Sequence, residues 1–263
     1  MDSRDTFTHT AGRFVASGDA EIYVEVIGKP DGPVLIMLHG GFGTIEDFNA
    51  ITPALSRHFR LVGIDSRGHG KSGMGSTKLS YKTLTDDLAA VIQSLDLREF
   101  SIFGFSDGGV VAYRYAVGND ARLQKVVTVG ASWEMSQEEP CWEMLASMTG
   151  EAWKDMFPAS FDAYMRLNPK PDFDGFSEGV LQMWTDLSAD GHPEASMRDV
   201  DAALLVIRGD NDFLTSLASI ARLKAMTEKV CFLNVPFAEH VAFDDSPAIV
   251  LGAIGTFFGV ELN

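Results

Sequence analysis

Gly104-Phe105-Ser106-Asp107-Gly108-Gly109 is the stretch on which the fold of this chain turns. An apolar run, Phe100 to Phe103, precedes it, and an amphipathic pattern from about Asp107 to Val117 follows. A serine with glycine at −2 and +2, set between a buried strand and a helix, sits on a turn too tight for larger neighbours. The turn strains the serine backbone and presents its hydroxyl, so Ser106 is a candidate nucleophile. The competing reading is a glycine-rich turn in which Ser106 merely caps a helix.

The same rhythm extends both ways. Phe14–Ser17 and Glu21–Ile27 read as a hairpin around Gly18-Asp19. Val34-Leu35-Ile36-Met37-Leu38 is apolar on both faces, as a strand covered from both sides must be. A glycine turn, Gly40-Gly41-Phe42-Gly43, leads into a helical pattern from Thr44 to about His58. Leu61–Ile64 is a further buried strand ending at Asp65, and Leu84, Leu88, Val91, Ile92 and Leu95 mark a helix from Tyr81. Val126–Val129, Ala203–Ile207 and Val230–Val235 complete the strands, with helices near Leu217–Met226 and Ser246–Phe258. Strands alternating with helices predict an α/β fold with a mostly parallel sheet flanked by helices.

Between residues 133 and 198 the alternation stops. Helical fragments are interrupted by Pro140, Pro158, Pro169, Pro171 and Pro193. All four tryptophans and seven of the eleven methionines fall here, a composition that offers a deformable apolar wall. The expected division is a core of residues 1–132 and 199–263 with a helical lid inserted at 133–198. The bland alternative for the aromatic residues is a small satellite core.

Composition narrows the function. The 263 residues are 46% hydrophobic and 22% charged, ordinary for one large globular domain. With 21 basic against 37 acidic residues the net charge is −16, which repels phosphate backbones and anionic membrane surfaces. No nucleic-acid or membrane partner is expected. The longest clean apolar run, Val34–Leu38, is far below the roughly 20 residues of a membrane span. Met1–Thr10 carries no apolar stretch behind a basic start, so no secretory leader is read. Cys141 and Cys231 form neither a disulfide framework nor a metal ligand set, and a reduced, cytoplasmic setting is the expectation. Gly70-Lys71-Ser72 ends like a phosphate-binding loop, but Asp65 stands where that motif needs its first glycine. No dinucleotide fingerprint or H-E-x-x-H appears, so neither cofactor nor metal is indicated.

Taken together, His39-Gly40-Gly41-Phe42-Gly43, Asp65 to Ser72, the Ser106 turn, Gly209-Asp210-Asn211-Asp212 and Glu239-His240 resemble the α/β-hydrolase superfamily over nearly the whole chain. The order Ser, acid, His, each after a strand, is similar to that family's. GFSDGG is also similar to the elbow of valacyclovir-hydrolase-like α-amino ester hydrolases. The resemblance implies an eight-stranded, mostly parallel sheet with a lid after the sixth strand. It implies His240 as base and, three residues after Gly209, Asp212 as its orienting acid, with Asp210 as the competing candidate. The backbone amides of Gly41 and Asp107 would form an oxyanion hole, with Phe42 the alternative to Gly41. Of the other histidines, His9 and His58 read as surface residues, His39 and His69 as loop-shaping, and His192 as part of the insertion.

Phe42, Asp107, Trp133 and Trp184 are candidate substrate-binding residues. In the amino-ester hydrolases the aspartate matching Asp107 meets the substrate's amine. Stabilisation of a helix N-terminus is the competing account. The expected activity is cofactor-free serine hydrolysis of a small ester, thioester or activated amide by a monomer or homodimer. The open alternatives are C–C hydrolase, lyase or perhydrolase chemistry on the same residues, and a ligand receptor without turnover.

Overall fold

The computed structural model describes residues 5–262; residues 1–4, part of the stretch read for a leader, lie outside the described residues. Eight strands form one sheet: β1 Arg13–Ser17, β2 Ala20–Gly28, β3 Val34–Leu38, β4 Arg60–Ile64, β5 Phe100–Phe105, β6 Leu123–Val129, β7 Ala203–Gly209 and β8 Val230–Val235. Their order is β1-β2-β4-β3-β5-β6-β7-β8. The pairs β1/β2 and β2/β4 are antiparallel, and every later pair is parallel. The helices are α1 Thr52–Leu55, α2 Tyr81–Ser94, α3 Asp107–Val117, α4 Trp142–Ser147, α5 Gly150–Met156, α6 Pro158–Leu167, α7 Phe173–Trp184, α8 Leu217–Met226, α9 Ala242–Asp245 and α10 Pro247–Phe258.

The continuous apolar strands are explained by their two covered faces. Ile36, Leu38, Ile102, Val126, Leu204 and Val206 pack with α2, α3 and α8. Leu35, Met37, Phe103, Val127, Leu205 and Ile207 pack on the other face with Phe48, Phe243, Val250 and Ile254. Side chains alternate across a strand, so a one-residue slip would exchange these two sets. Register therefore aligns the strand ends: Leu38 pairs with Gly104, Phe105 with Val129, Val129 with Ile207 and Gly209 with Val235. The loops after β3, β5, β7 and β8 consequently leave from one edge, the carboxyl edge where α/β sheets build sites.

Helices α4 to α7 lie between β6 and β7 in the chain. Pro158 opens α6, and Pro169 and Pro171 lie between α6 and α7, so the prolines separate helices rather than break them. Tyr164, Phe173, Phe176, Val180 and Met183 join the core on the α2/α3 face.

Two expectations are corrected. The stretch from Thr44 to His58 is no single helix but a 3-10 turn, Ile45–Phe48, followed by α1. Thr44 and Asp47 form a reciprocal cap on the first turn, and Pro53 then prevents the helix from running through. His9 is no surface residue. It is 2% exposed, with Nε2 2.8 Å from Asp65 Oδ2 and Nδ1 2.8 Å from Glu46 Oε1. Burial by itself lowers its pKa, but the hydrogen bonds and charges of Asp65 and Glu46 outweigh this and raise it. Arg67, 3% exposed, forks onto Asp87 at 2.7 and 2.9 Å and reaches Asp19 at 2.7 Å, pinning the 65–72 loop to α2 and the β1–β2 hairpin.

A histidine with a raised folded-state pKa stabilises fully below its unfolded value of 6.5, and the gain is lost as pH rises through the folded value. His9→Ala should cost about 3 kcal/mol at pH 6, because it removes the cationic partner of the buried Asp65 carboxylate. The deficit relative to wild type should shrink as pH rises above 6.5, as read by urea unfolding of both proteins across pH. A deficit that grows with pH would contradict a charged His9.

Candidate active site

Ser106 stands at the junction of β5 and α3 with φ 49° and ψ −117°, a left-handed backbone that few side chains adopt. The turn closes only because its neighbours lack a Cβ. One added at Gly104 would lie 2.4 Å from the Gly108 carbonyl oxygen, and one at Gly108 would lie 2.1 Å from that of Leu38. Ser106 Oγ lies 3.0 Å from His240 Nε2, and His240 Nδ1 lies 3.1 Å from Asp212 Oδ2.

These partners fix the protons. An ionised carboxylate can only accept, so His240 Nδ1 carries the hydrogen and Nε2 is left to accept from the Ser106 hydroxyl. Burial of Asp212 opposes its charge, but His240, the Leu214 N–H and Arg208 outweigh it and hold the pKa below the usual value. The Asp212 carboxylate is 1% exposed and also accepts from Leu214 N at 2.9 Å. Asp210 faces elsewhere, accepting from Asn234 Nδ2 at 2.6 Å.

Some supports of this arrangement lie outside the residues that the sequence singled out. Arg208, buried at the end of β7, donates to the carbonyls of Asp210, Asp212 and Thr215 and so shapes the loop that presents Asp212. An arginine inside the run Leu204–Ile207-Arg208 was the available clue. Gly130 adopts φ 59°, and a Cβ there would come within 2.9 Å of the His240 ring.

Gly41 and Asp107 are brought together: a Cβ on Gly41 would lie 2.6 Å from Asp107 Oδ2. The N–H groups of Gly41, Phe42 and Asp107 meet no acceptor among the described residues. His39 orders this turn. Ser66 N–H donates to His39 Nε2 at 2.9 Å, so Nδ1 holds the proton and donates to the Gly40 carbonyl at 2.7 Å. Across a trans peptide, fixing that carbonyl also fixes the Gly41 N–H in the opposite direction. His69 and His192 are buried and pushed down to about 3, chiefly by burial, so both are neutral.

Asp107 is 6% exposed and accepts from Tyr81 Oη at 2.8 Å and from Trp184 Nε1 at 2.9 Å. Burial raises its pKa, offset only in part by these two donors and nearby histidines. Phe42 is covered by Trp153, stacked at 4.3 Å, and by the edges of Phe176 and Trp184. Trp133 is placed elsewhere: it is 4% exposed, and its indole N–H donates to the Ser219 carbonyl on α8 at 3.0 Å.

Known proteins share this architecture. The family described as alpha/beta hydrolase fold matches residues 33–173. The chain belongs to the alpha/beta hydrolase family. It is similar to the 2-(acetamidomethylene)succinate hydrolase of Mesorhizobium japonicum, 24% identical over 90% of this chain and 91% of that protein. The pimeloyl-[acyl-carrier protein] methyl ester esterase of Nitrosospira multiformis is 25% identical over 88% and 95%. The chain spans only 33–41% of the length of several other relatives, which match at 31–35% identity. The fold of a Pseudomonas aeruginosa hydrolase superposes with a TM-score of 0.76, at 22% identity, covering 96% of this chain and all of that one. Relatives named as esterases and hydrolases, with this fold, support a hydrolase. No helix among the described residues is long and apolar enough to cross a membrane.

Asp212→Asn should change the proton resonance of His240 Nδ1, because the carboxylate acceptor is lost. Asp210→Asn should leave it in place. The reverse pattern in NMR spectra of the two variants would mean that the acid loop is arranged differently.

Proposed function

We propose that Ser106, His240 and Asp212 hydrolyse small carboxylic esters, thioesters or activated amides through an acyl-enzyme. The observation that carries this reading is the unbroken pair of contacts from Ser106 Oγ through His240 to Asp212, at 3.0 and 3.1 Å. His240 Nε2 takes the hydroxyl proton as Ser106 Oγ attacks the carbonyl carbon. Negative charge develops on the carbonyl oxygen, which the free N–H groups of Gly41 and Asp107 receive. His240 then returns the proton to the leaving oxygen, sulfur or nitrogen as its bond to carbon breaks. A water, deprotonated by the same imidazole, attacks the acyl-Ser106 carbonyl and releases the acid. Asp212 keeps Nδ1 protonated and stabilises the transient imidazolium. The chemistry uses side chains, backbone amides and water alone.

On this reading residues 133–198 form a lid over the core of residues 1–132 and 199–263. Support comes from three contacts that tie the insertion to the loops around Ser106: Ser160 Oγ donates to the Phe42 carbonyl, Asn168 Nδ2 to that of Gly68, and Trp184 Nε1 to Asp107. The acids of the insertion also line its outer surface. A cavity of about 450 Å³ between α4, α5 and α7 carries Glu151, Asp174 and Glu178 on its wall, with Leu145, Met148 and Leu181. On this reading the acids of the insertion favour cationic over anionic substrates at the approach, whereas Asp107 is turned inward onto Tyr81 and Trp184.

Ser106→Ala should lower kcat on p-nitrophenyl esters by about a millionfold while the unfolding midpoint stays near wild type. Asp212→Asn should lower kcat by about ten-thousandfold, and Asp210→Asn by far less. Full activity in the Ser106 variant would remove this mechanism.

Matched aminoacyl and carboxyacyl esters should differ in kcat/KM by about tenfold at low salt, the cation being favoured, and the ratio should fall in high salt as the field is screened. A carboxyacyl ester cleaved faster at every salt concentration would contradict an acidic approach.

A further inference from the structure

We infer that Trp184 sets the length of acyl group this chain accepts, restricting it to short acyl esters. The inference rests on the catalytic reading above. The leaving group has to lie at His240, which returns its proton, so the acyl group extends from the attacked carbon on the other side. The proposal places it against the indole of Trp184, which stands beside the Gly41 backbone and Asp107. A Cβ built on Gly41 would lie 2.9 Å from Trp184 Cζ2 and 3.2 Å from Nε1, so the indole packs directly against the backbone that offers the oxyanion its N–H.

The ring is held from several directions. Its N–H donates at 2.9 Å to Asp107, the residue following the nucleophile, and the other oxygen of that carboxyl is held by Tyr81 at 2.8 Å. Its faces and edges meet Phe42 and Trp153, each with ring centres 5.6 Å away. On its far side it packs with Met135, Cys141 and Leu145. Swinging the indole aside would strand a buried carboxyl oxygen and open the aromatic cluster. The wall is therefore fixed rather than adaptable, and a long acyl chain meets it end on. A smaller residue at 184 would remove the ring that packs against the Gly41 backbone and leave space there for a longer acyl group.

The test is kcat/KM for p-nitrophenyl acetate, butanoate, hexanoate and octanoate with wild type, Trp184→Ala and Trp184→Leu, and with Ser106→Ala as the control. Wild type is expected to lose at least about tenfold between butanoate and octanoate, since single methylenes against a closed wall are discriminated on that scale. Both Trp184 variants are expected to raise the octanoate-to-acetate ratio by about tenfold or more. Wild type that cleaves octanoate as well as acetate, in a reaction abolished by Ser106→Ala, overturns the inference and leaves the catalytic reading standing. So does an unchanged ratio in a folded Trp184 variant. If both variants unfold, Trp184→Phe, which keeps an aromatic ring in the cluster, carries the same comparison. Failure of wild type to turn over any ester, or turnover equal in Ser106→Ala, overturns the catalytic reading and this inference with it.

Discussion

The backbone of Ser106, held at φ 49° and ψ −117°, is the constraint from which the rest of the site follows. A non-glycine residue in that region costs about 1–3 kcal/mol, so the surroundings must over-determine it. They do so by close packing of backbone on backbone. Gly108 lies against the Leu38 and His39 carbonyls, and its N–H donates to His39 at 3.0 Å. Gly104 in turn lies against Gly108. The turn is thus wedged between β3 and the start of α3, and its hydroxyl has one direction left. That direction meets His240, which the β8 end can deliver because β5, β6, β7 and β8 finish in register.

A second constraint is the placement of buried charge. Burying a carboxylate is costly unless donors surround it. Asp65 takes the N–H of Ile45 and Lys71 together with His9, Asp87 takes the Arg67 fork, and Asp212 takes Leu214 N and His240. Each of these carboxylates joins segments distant in sequence, so the polar network fixes loops that the hydrophobic core does not reach. Asp107 differs, because both of its partners are neutral. Its position at the N-terminus of α3 and the nearby His39 and His240 add favourable field.

The fold was legible because its signals are local and repeated. Val34–Leu38, Asp107–Val117, Leu217–Met226 and Val230–Val235 are bounded in the structure as their apolar patterns imply. The glycines around Ser106 were legible for the same reason: a steric requirement acts on immediate neighbours. What escaped was set by contacts far apart in sequence. His9 lies 56 residues from Asp65, so nothing near it announces burial, and a terminal position suggested exposure instead. Trp184 lies 77 residues from Asp107, and no periodicity distinguishes the tryptophan that bonds a carboxyl from Trp133, which caps a carbonyl in the core. The helix expected across Thr44–His58 failed on a local signal that was present, Pro53, outweighed by the apolar spacing around it.

The insertion and the Ser106 region are physically one unit. Ser160 and Asn168 donate to the carbonyls of Phe42, Gly68 and Ser72, and Trp184 donates to Asp107. Every one of these acceptors belongs to a loop or helix end at the carboxyl edge of the sheet, and none to the strands themselves. Phe42 is the hub, because its carbonyl is bonded by Ser160 while its ring is stacked by Trp153. Phe42 also holds φ 58°, directly after Gly41, so its own strained backbone is propped by the helices above it. Removing those helices would leave the carbonyls to water and release the turn that presents the Gly41 amide. The contacts that hold the insertion on the core and those that hold the Gly41-Phe42 turn are therefore the same, and a substitution that loosens one loosens the other.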